Sequence, residues 1–325
     1  MGKYIVRRLA QSVFVIIGVS VLAFSVLFLS GDPTFLYVNE RASNEDIAKM
    51  RHTLGFDRPF YIQYLDFFSR AVRGDFGTSL KYGQPALKVV LERLPATLEL
   101  TFIGLFIAVV FAIPFGVIAA TNRNSIFDGG TMLLAMIGQS VPEFWLGIML
   151  ILIVGVQWKL LPISGRVPLL DPLLQGKFAQ VWSTLPDAFK HLLLPGIATG
   201  VWALSRNSRL IRSSMLEVLG MDYVTTARAK GVKETLVVMK HAFKNALIPV
   251  VTMIGLNIGF LLSGDVVIEN IFAWPGVGRL VVFAINQKDF NVVQASVITL
   301  AMVFIVLNLL VDLLYTWLDP RIRFS

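Results

Sequence analysis

An all-α membrane protein with six transmembrane helices is the fold class this sequence predicts, and three observations predict it. Hydrophobic residues make up 55% of the 325 residues and charged residues only 15%, where a soluble domain is about a quarter charged. Mean hydropathy is +0.70. The apolar residues gather into windows near 9–29, 97–120, 130–157, 192–212, 246–268 and 291–314, each about the 20 residues that a helix needs to cross a bilayer core. Six crossings place both termini on one side. The chain has no cysteine, which excludes disulfide frameworks, zinc knuckles and thiol catalysis. Its net charge of +8 is read as basic loops against an anionic leaflet rather than as a nucleic-acid surface.

The first window follows Lys3, Arg7 and Arg8 and ends at Ser30-Gly31-Asp32-Pro33 without a small-residue cleavage site. It is longer than a signal-peptide core, so it reads as an uncleaved span with its N-terminus in the cytoplasm. With that orientation 14 of the 29 Lys and Arg residues lie inside. Nine of the other 15 fall in the loop 30–96, and so long a loop crosses largely regardless of charge. Within it, Pro59-Phe60-Tyr61-Ile62-Gln63-Tyr64-Leu65-Asp66-Phe67-Phe68 spaces aromatics as a helix does. The expectation is an amphipathic helix at the outer interface, with an aromatic substrate box as the alternative.

The fourth window carries Leu194-Pro195-Gly196 and Gly200 before Arg206, Arg209 and Arg212, which recur every three residues and suit a cytoplasmic exit. Between it and the fifth lies Asp222-Tyr223-Val224-Thr225-Thr226-Ala227-Arg228-Ala229-Lys230-Gly231, then His241-Ala-Phe-Lys-Asn245-Ala-Leu-Ile-Pro249. Asp222 is the expected N-cap, accepting from the N–H of Val224 or Thr225, and Gly231 the expected C′ residue. A helix of about eight residues does not persist alone in water, so packing must hold it. Ala227 and Gly231 would share a face open to a partner, flanked by Arg228 and Lys230. A second helix is expected from Lys233 through His241 and Asn245 to Pro249. An ordinary solvated basic loop is the plain alternative.

That segment resembles the cytoplasmic coupling loop of ABC-importer permeases, in the form used by the dipeptide/oligopeptide/nickel transport family. The resemblance extends to Gly31-Asp32-Pro33, Leu54-Gly55, Gly74-Asp75-Phe76-Gly77-x-Ser79, Leu94-Pro95-x-Thr97-Leu98-Glu99-Leu100, Glu269-x-x-Phe272-x-x-Pro275-Gly276-x-Gly278 and Asp319-Pro320-Arg321-Ile322-Arg323. Each fragment is weak alone; their order and spacing are specific. Thr225 stands where the general loop has an acidic residue. The resemblance implies the type I ABC importer transmembrane fold and a coupling helix seated on a cytoplasmic ATPase. It divides the chain into 1–95 (first span and extracytoplasmic loop), 96–314 (core, with the coupling loop 213–249) and a cytoplasmic tail, 315–325. Implied partners are a homologous second permease, two ABC ATPase subunits, an extracytoplasmic solute-binding protein and membrane lipid. Implied localisation is a bacterial or archaeal plasma membrane. The chain contains no G-x-x-x-x-G-K-[ST] sequence, so ATP and Mg are expected in partner subunits and no cofactor on this chain.

The expected cargo is a short peptide. Nickel complexes, oligosaccharides or other solutes carried by the same importer class are the alternative, and an ion-coupled secondary transporter a more distant one. Glu143 follows Pro142 in the middle of the third window, one turn beyond Gln139 and Ser140. A carboxylate at such depth costs about 2.5–3.5 kcal/mol on insertion scales, so it should face a wet path or a partner. Asp265 and Glu269 are four apart near the outer end of the fifth window, either on the path or at headgroup level. Trp274, in a Pro- and Gly-broken segment, is either an interface anchor or a path residue. Asp312 is expected to pair or cap. His52, His191 and His241 have no metal-ligand spacing, and no G-x-S-x-G or H-E-x-x-H motif points to an intramembrane enzyme.

Overall fold

Backbone that leaves water must satisfy its own N–H and C=O groups, and a helix does so within one segment. The computed structural model describes residues 2–29, 34, 38, 43–264 and 266–318, and within these the apolar windows are helical. In chain order the helices are α1 (Gly2–Leu29), α2 (Asn44–Leu54), α3 (Phe60–Ala71), α4 (Ala86–Thr121), α5 (Ile126–Ser140), α6 (Glu143–Leu150), α7 (Leu170–Leu174) and α8 (Phe178–Leu219). There follow α9 (Asp222–Ala229), α10 (Glu234–Leu236), α11 (Lys244–Gly264), α12 (Val266–Ile271), α13 (Val277–Asn286) and α14 (Phe290–Leu318). π-helical turns, Ile151–Gln157 and Val237–Phe243, continue α6 and α10. Gly31-Asp32-Pro33, Asp265 and the chain from Asp319 lie outside the described residues. So does the side chain of Asp312. Tyr315–Leu318, the first residues of the expected tail, are the last residues of α14.

Among the described residues three helices are long and apolar enough to cross a membrane, or up to five if each of two bent pairs is one span. The first, second and sixth windows are α1, α4 and α14. The third window is corrected: it is not one straight span, because α5 and α6 meet at 101° across Val141-Pro142. Pro142 has no N–H to donate and disfavours helical geometry at the residue before it, which ends α5. Glu143 therefore opens a new helix. The fourth window is part of α8, which starts at Phe178, 42 residues in all. At 1.5 Å per residue α8 is about 63 Å long, roughly twice a bilayer core. Pro186 and Pro195 lie inside it. The fifth window follows the π turn, with a bend of 50° at the Leu247–Pro249 break.

The described chain forms two compact units, one of residues up to Leu94 with Leu280–Val306, the other Pro95–Arg279 with residues from Leu307. In the first unit the aromatic stripe of α3 lies on α1. Phe24 meets Phe60, Tyr64 and Phe67 with ring centroids 5.5, 5.7 and 5.4 Å apart, and Tyr64 hydroxyl is 2.9 Å from Ser20 Oγ. Within the stripe Phe67 is buried and Tyr64 and Phe68 are half-buried, whereas Tyr61 and Leu65 are exposed. The helix α2 was not expected, although Ser43-Asn44-Glu45-Asp46 closes a capping box: Asp46 N–H donates to Ser43 Oγ and Ser43 N–H to Asp46 Oδ2.

In the second unit small residues let α4 and α8 approach. A β-carbon on Gly200 would lie 2.7 Å from the Gly104 carbonyl oxygen, so larger side chains do not fit at this crossing. At the start of α5, Asp128 accepts from Arg212 of α8 twice, at 2.5 and 2.7 Å. This bidentate pair, with Asp128 buried and Arg212 half-buried, ties the two helices where the apolar windows end.

Candidate functional site

Helix α9 is short, yet it has a place to stand. Met221, with extended backbone, is its N-cap and offers no side-chain bond. The expected capping role of Asp222 is thereby corrected: Asp222 is the first helical residue, where its charge meets the positive end of the helix dipole instead. Lys230 closes the helix and Gly231 takes φ +74°, the left-handed C′ position anticipated for it. Val224 is fully buried and Ala227 is 8% exposed. Three residues apart, they share one face. They join Ile211, Met215, Val218, Val237, Val238, Ala242 and Ala246 in one apolar cluster.

Ala227 therefore faces this chain's own core. It does not share an open face with Gly231, contrary to expectation. The outward face is Asp222, Tyr223, Thr225, Thr226, Arg228, Ala229 and Lys230, all exposed, with Gly231 beyond them. Arg228 is turned back to Glu234 across the Gly231 turn, its Nη2 donating to Oε1 at 2.6 Å and its Nε to Oε2 at 3.1 Å. Thr226 Oγ1 donates to the Asp222 carbonyl at 2.9 Å.

A second tie joins α9 to the next helix. Asn245 Nδ2 donates to Tyr223 hydroxyl oxygen at 2.8 Å and to the His241 carbonyl at 3.2 Å. Tyr223 hydroxyl donates to the same carbonyl at 3.4 Å. His241 thus enters through its backbone, at a π-helical turn of the kind that recurs at functional sites. Residues 22 positions apart form one polar clamp, and α9 is fixed to the helix that runs on as α11.

The path candidates fall into different places. Gln139 is exposed and accepts from Arg209 Nη1 at 2.5 Å. Glu143 is half-buried, the first residue of α6. Glu269 is 1% exposed, so its carboxylate faces protein rather than solvent. Its Oε1 accepts from Thr97 Oγ1 and its Oε2 from the Arg279 N–H, both at 2.7 Å. Trp274 is fully buried and donates from Nε1 to the Ala96 carbonyl at 2.8 Å. Thr97 Oγ1 also accepts from the Val277 N–H at 2.8 Å. The segments around Thr97 and Glu269 are thus two halves of one buried joint, an arrangement that the fragments of sequence do not disclose.

A further cluster was missed. Glu99, two residues beyond Thr97, accepts from Arg166 Nε and Nη2 at 2.7 and 2.8 Å and from the N–H groups of Leu169 and Leu170. Arg166 also donates to Asp171. Arg166 lies in a loop with no periodic signal, so only its contacts identify it. Among the described residues no group of three His, Cys, Asp or Glu side chains is arranged to hold a metal ion.

Residues 1–101 match the family model of the N-terminal part of binding-protein-dependent transport system membrane components, and residues 112–324 match that of the binding-protein-dependent transport system inner membrane component. The chain is 42% identical over 340 residues, 99% of each chain, to the dipeptide transport system permease protein DppB of Escherichia coli K12. It is 39% identical to its counterpart of that name in Alkalihalophilus pseudofirmus over the full length of both. To the glutathione transport system permease protein GsiC of Escherichia coli K12 it is 39% identical, again over the full length of both.

Proposed function

The chain belongs to the family of binding-protein-dependent transport system inner membrane components, and we propose that it is one of two membrane subunits of an ATP-driven importer of short peptides. The relatives' names speak of dipeptide and glutathione cargo, and glutathione is itself a small peptide. The observation that carries the mechanism is α9: a helix rooted by Val224 and Ala227, clamped through Tyr223 and Asn245, and presenting one exposed polar face. Such a face seats in a cleft of a cytoplasmic ATPase. The rooting keeps α9 from sliding over its own chain, so a displacement imposed on it is carried to α11 and α8.

In this reading ATP and Mg are bound and hydrolysed in two partner ATPase subunits, and this chain binds no cofactor. A homologous second permease completes the path and an extracytoplasmic solute-binding protein delivers the cargo. Lipid covers the exposed apolar side chains, and nucleic acid has no part. The six windows cross a bacterial or archaeal plasma membrane with both termini cytoplasmic. Because the chain has no cysteine, a single Thr226→Cys substitution gives one unambiguous crosslinking position. In membranes holding the whole complex, it should crosslink to an ATPase subunit, with a yield that changes when ATP is added. Labelling of the introduced thiol by water-soluble reagent alone, with no ATPase adduct in any nucleotide state, would rule the proposal out.

A further inference from the structure

Arg206, Arg209 and Arg212 recur every three residues in α8, and the fold uses them differently. Successive members are turned about 60° from one another around the helix. Arg212 reaches the Asp128 carboxylate and donates to it in a fork, at 2.5 and 2.7 Å. Arg206 and Arg209 stand with Ser213 on the exposed stripe of α8, while Ala203, Asn207 and Ile211 are buried on its other sides. Among the described residues neither of the two exposed arginines meets a carboxylate; their partners are neutral.

The Arg206 guanidinium lies over the Trp202 ring, 5.3 Å from its centre, and Arg209 Nη1 donates to Gln139 Oε1 at 2.5 Å. A ring and an amide orient a guanidinium without cancelling its charge. Residues three apart on a helix have β-carbons about 5–6 Å apart, so these two cations repel and both can reach one small anion. They belong to an apolar window, where lipid chains accept a guanidinium poorly, so their stripe faces water or a partner. Arg212 shows the kind of group that satisfies such a side chain: a planar carboxylate held by two N–H donors.

We propose that Arg206 and Arg209 bind the C-terminal carboxylate of a short peptide as it passes along α8, with Trp202 and Gln139 as positioning residues. This rests on the peptide-importer reading and names the cargo group that this chain itself recognises. An anionic lipid headgroup and a carboxylate of the second permease are the competing occupants.

The test uses the full complex with its receptor, in vesicles of phosphatidylcholine alone and of phosphatidylcholine with phosphatidylglycerol. ATP-driven uptake is measured for alanyl-alanine and for its C-terminal amide. Comparing each variant with wild type cargo by cargo cancels the receptor's own preference. Arg206→Gln and Arg209→Gln should each lower uptake of the free dipeptide about tenfold and leave that of the amide within about twofold, in both kinds of vesicle. Arg209→Lys, which keeps the charge without the fork, should recover part of the loss. A second readout needs no receptor. Ser213→Cys, one turn from Arg209, should react faster with an anionic than with a cationic thiol reagent, and adding Arg209→Gln should erase that preference. Equal losses on both cargoes, or a thiol without that preference, would overturn the proposal. A loss confined to vesicles with phosphatidylglycerol would give the pair to lipid instead. Failure of both Gln variants to assemble would give it to the second permease, and the proposal would fall in either case. A wild-type complex that carries neither cargo under ATP would overturn the peptide reading itself.

Discussion

Two glycines show how one missing side chain serves two different ends. At Gly231 a β-carbon would meet nothing within 4 Å, but φ is +74°, so a substitution there is opposed by backbone conformation alone. Gly231→Ala should cost about 1 kcal/mol and lower peptide uptake per ATP hydrolysed by the reconstituted complex. Gly231→Asn, which visits the left-handed region more easily, should retain more of that coupling. Equal coupling in both variants and wild type would mean that the turn is not needed. At Gly276 the constraint is space: a β-carbon would overlap the Glu269 carboxylate. That carboxylate is held by Thr97 and the Arg279 N–H and cannot withdraw cheaply. Gly276→Ala should destabilise by about 1–3 kcal/mol, read as a lowered melting temperature of the detergent-solubilised protein. Both glycines stand out in the sequence, but nothing in it says that Gly276 lies against Glu269.

At the scale of elements, α9 and α2 are both short and are stabilised differently. Helix α9 depends on burial of Val224 and Ala227 in a cluster drawn from α4, α8 and α11, whereas α2 is exposed and depends on its ends. Hydrogen bonds from Ser43, its side chain first and its backbone N–H second, hold the Asp46 carboxyl below its usual value of 3.8. A lowered carboxyl value means that the box is intact above the ordinary carboxylate range and is lost as pH falls through the lowered value. Hydrogen exchange of the first α2 amides, corrected for intrinsic pH dependence, should therefore accelerate only on acidification below that range. Acceleration already near neutral pH would show that the box does not hold the helix. The aromatic period made α3 legible in the sequence, and the Gly231 stop did so for α9. The burial of Ala227 was not, since an alanine among polar residues fits either face of so short a helix.

Across the whole molecule, single cysteines in this cysteine-free chain read directly how the helices thread the bilayer. The thiol of Thr226→Cys should be labelled only from the cytoplasmic side and that of Tyr61→Cys only from the outer side; labelling of both from one side would remove the six-span arrangement. Composition and the apolar windows by themselves determined that the chain is helical and membrane-bound, because a bilayer core admits few other backbones. The ordered motifs determined its family. Tertiary structure alone decided that Thr97 and Glu269 are halves of one joint, that Trp274 is interior, and that Arg166 holds Glu99. The physical reason is one of range. Hydropathy and capping act between residues a few positions apart, whereas the partner of a buried charge, 172 residues away for Thr97 and Glu269, is selected only when distant helices close together.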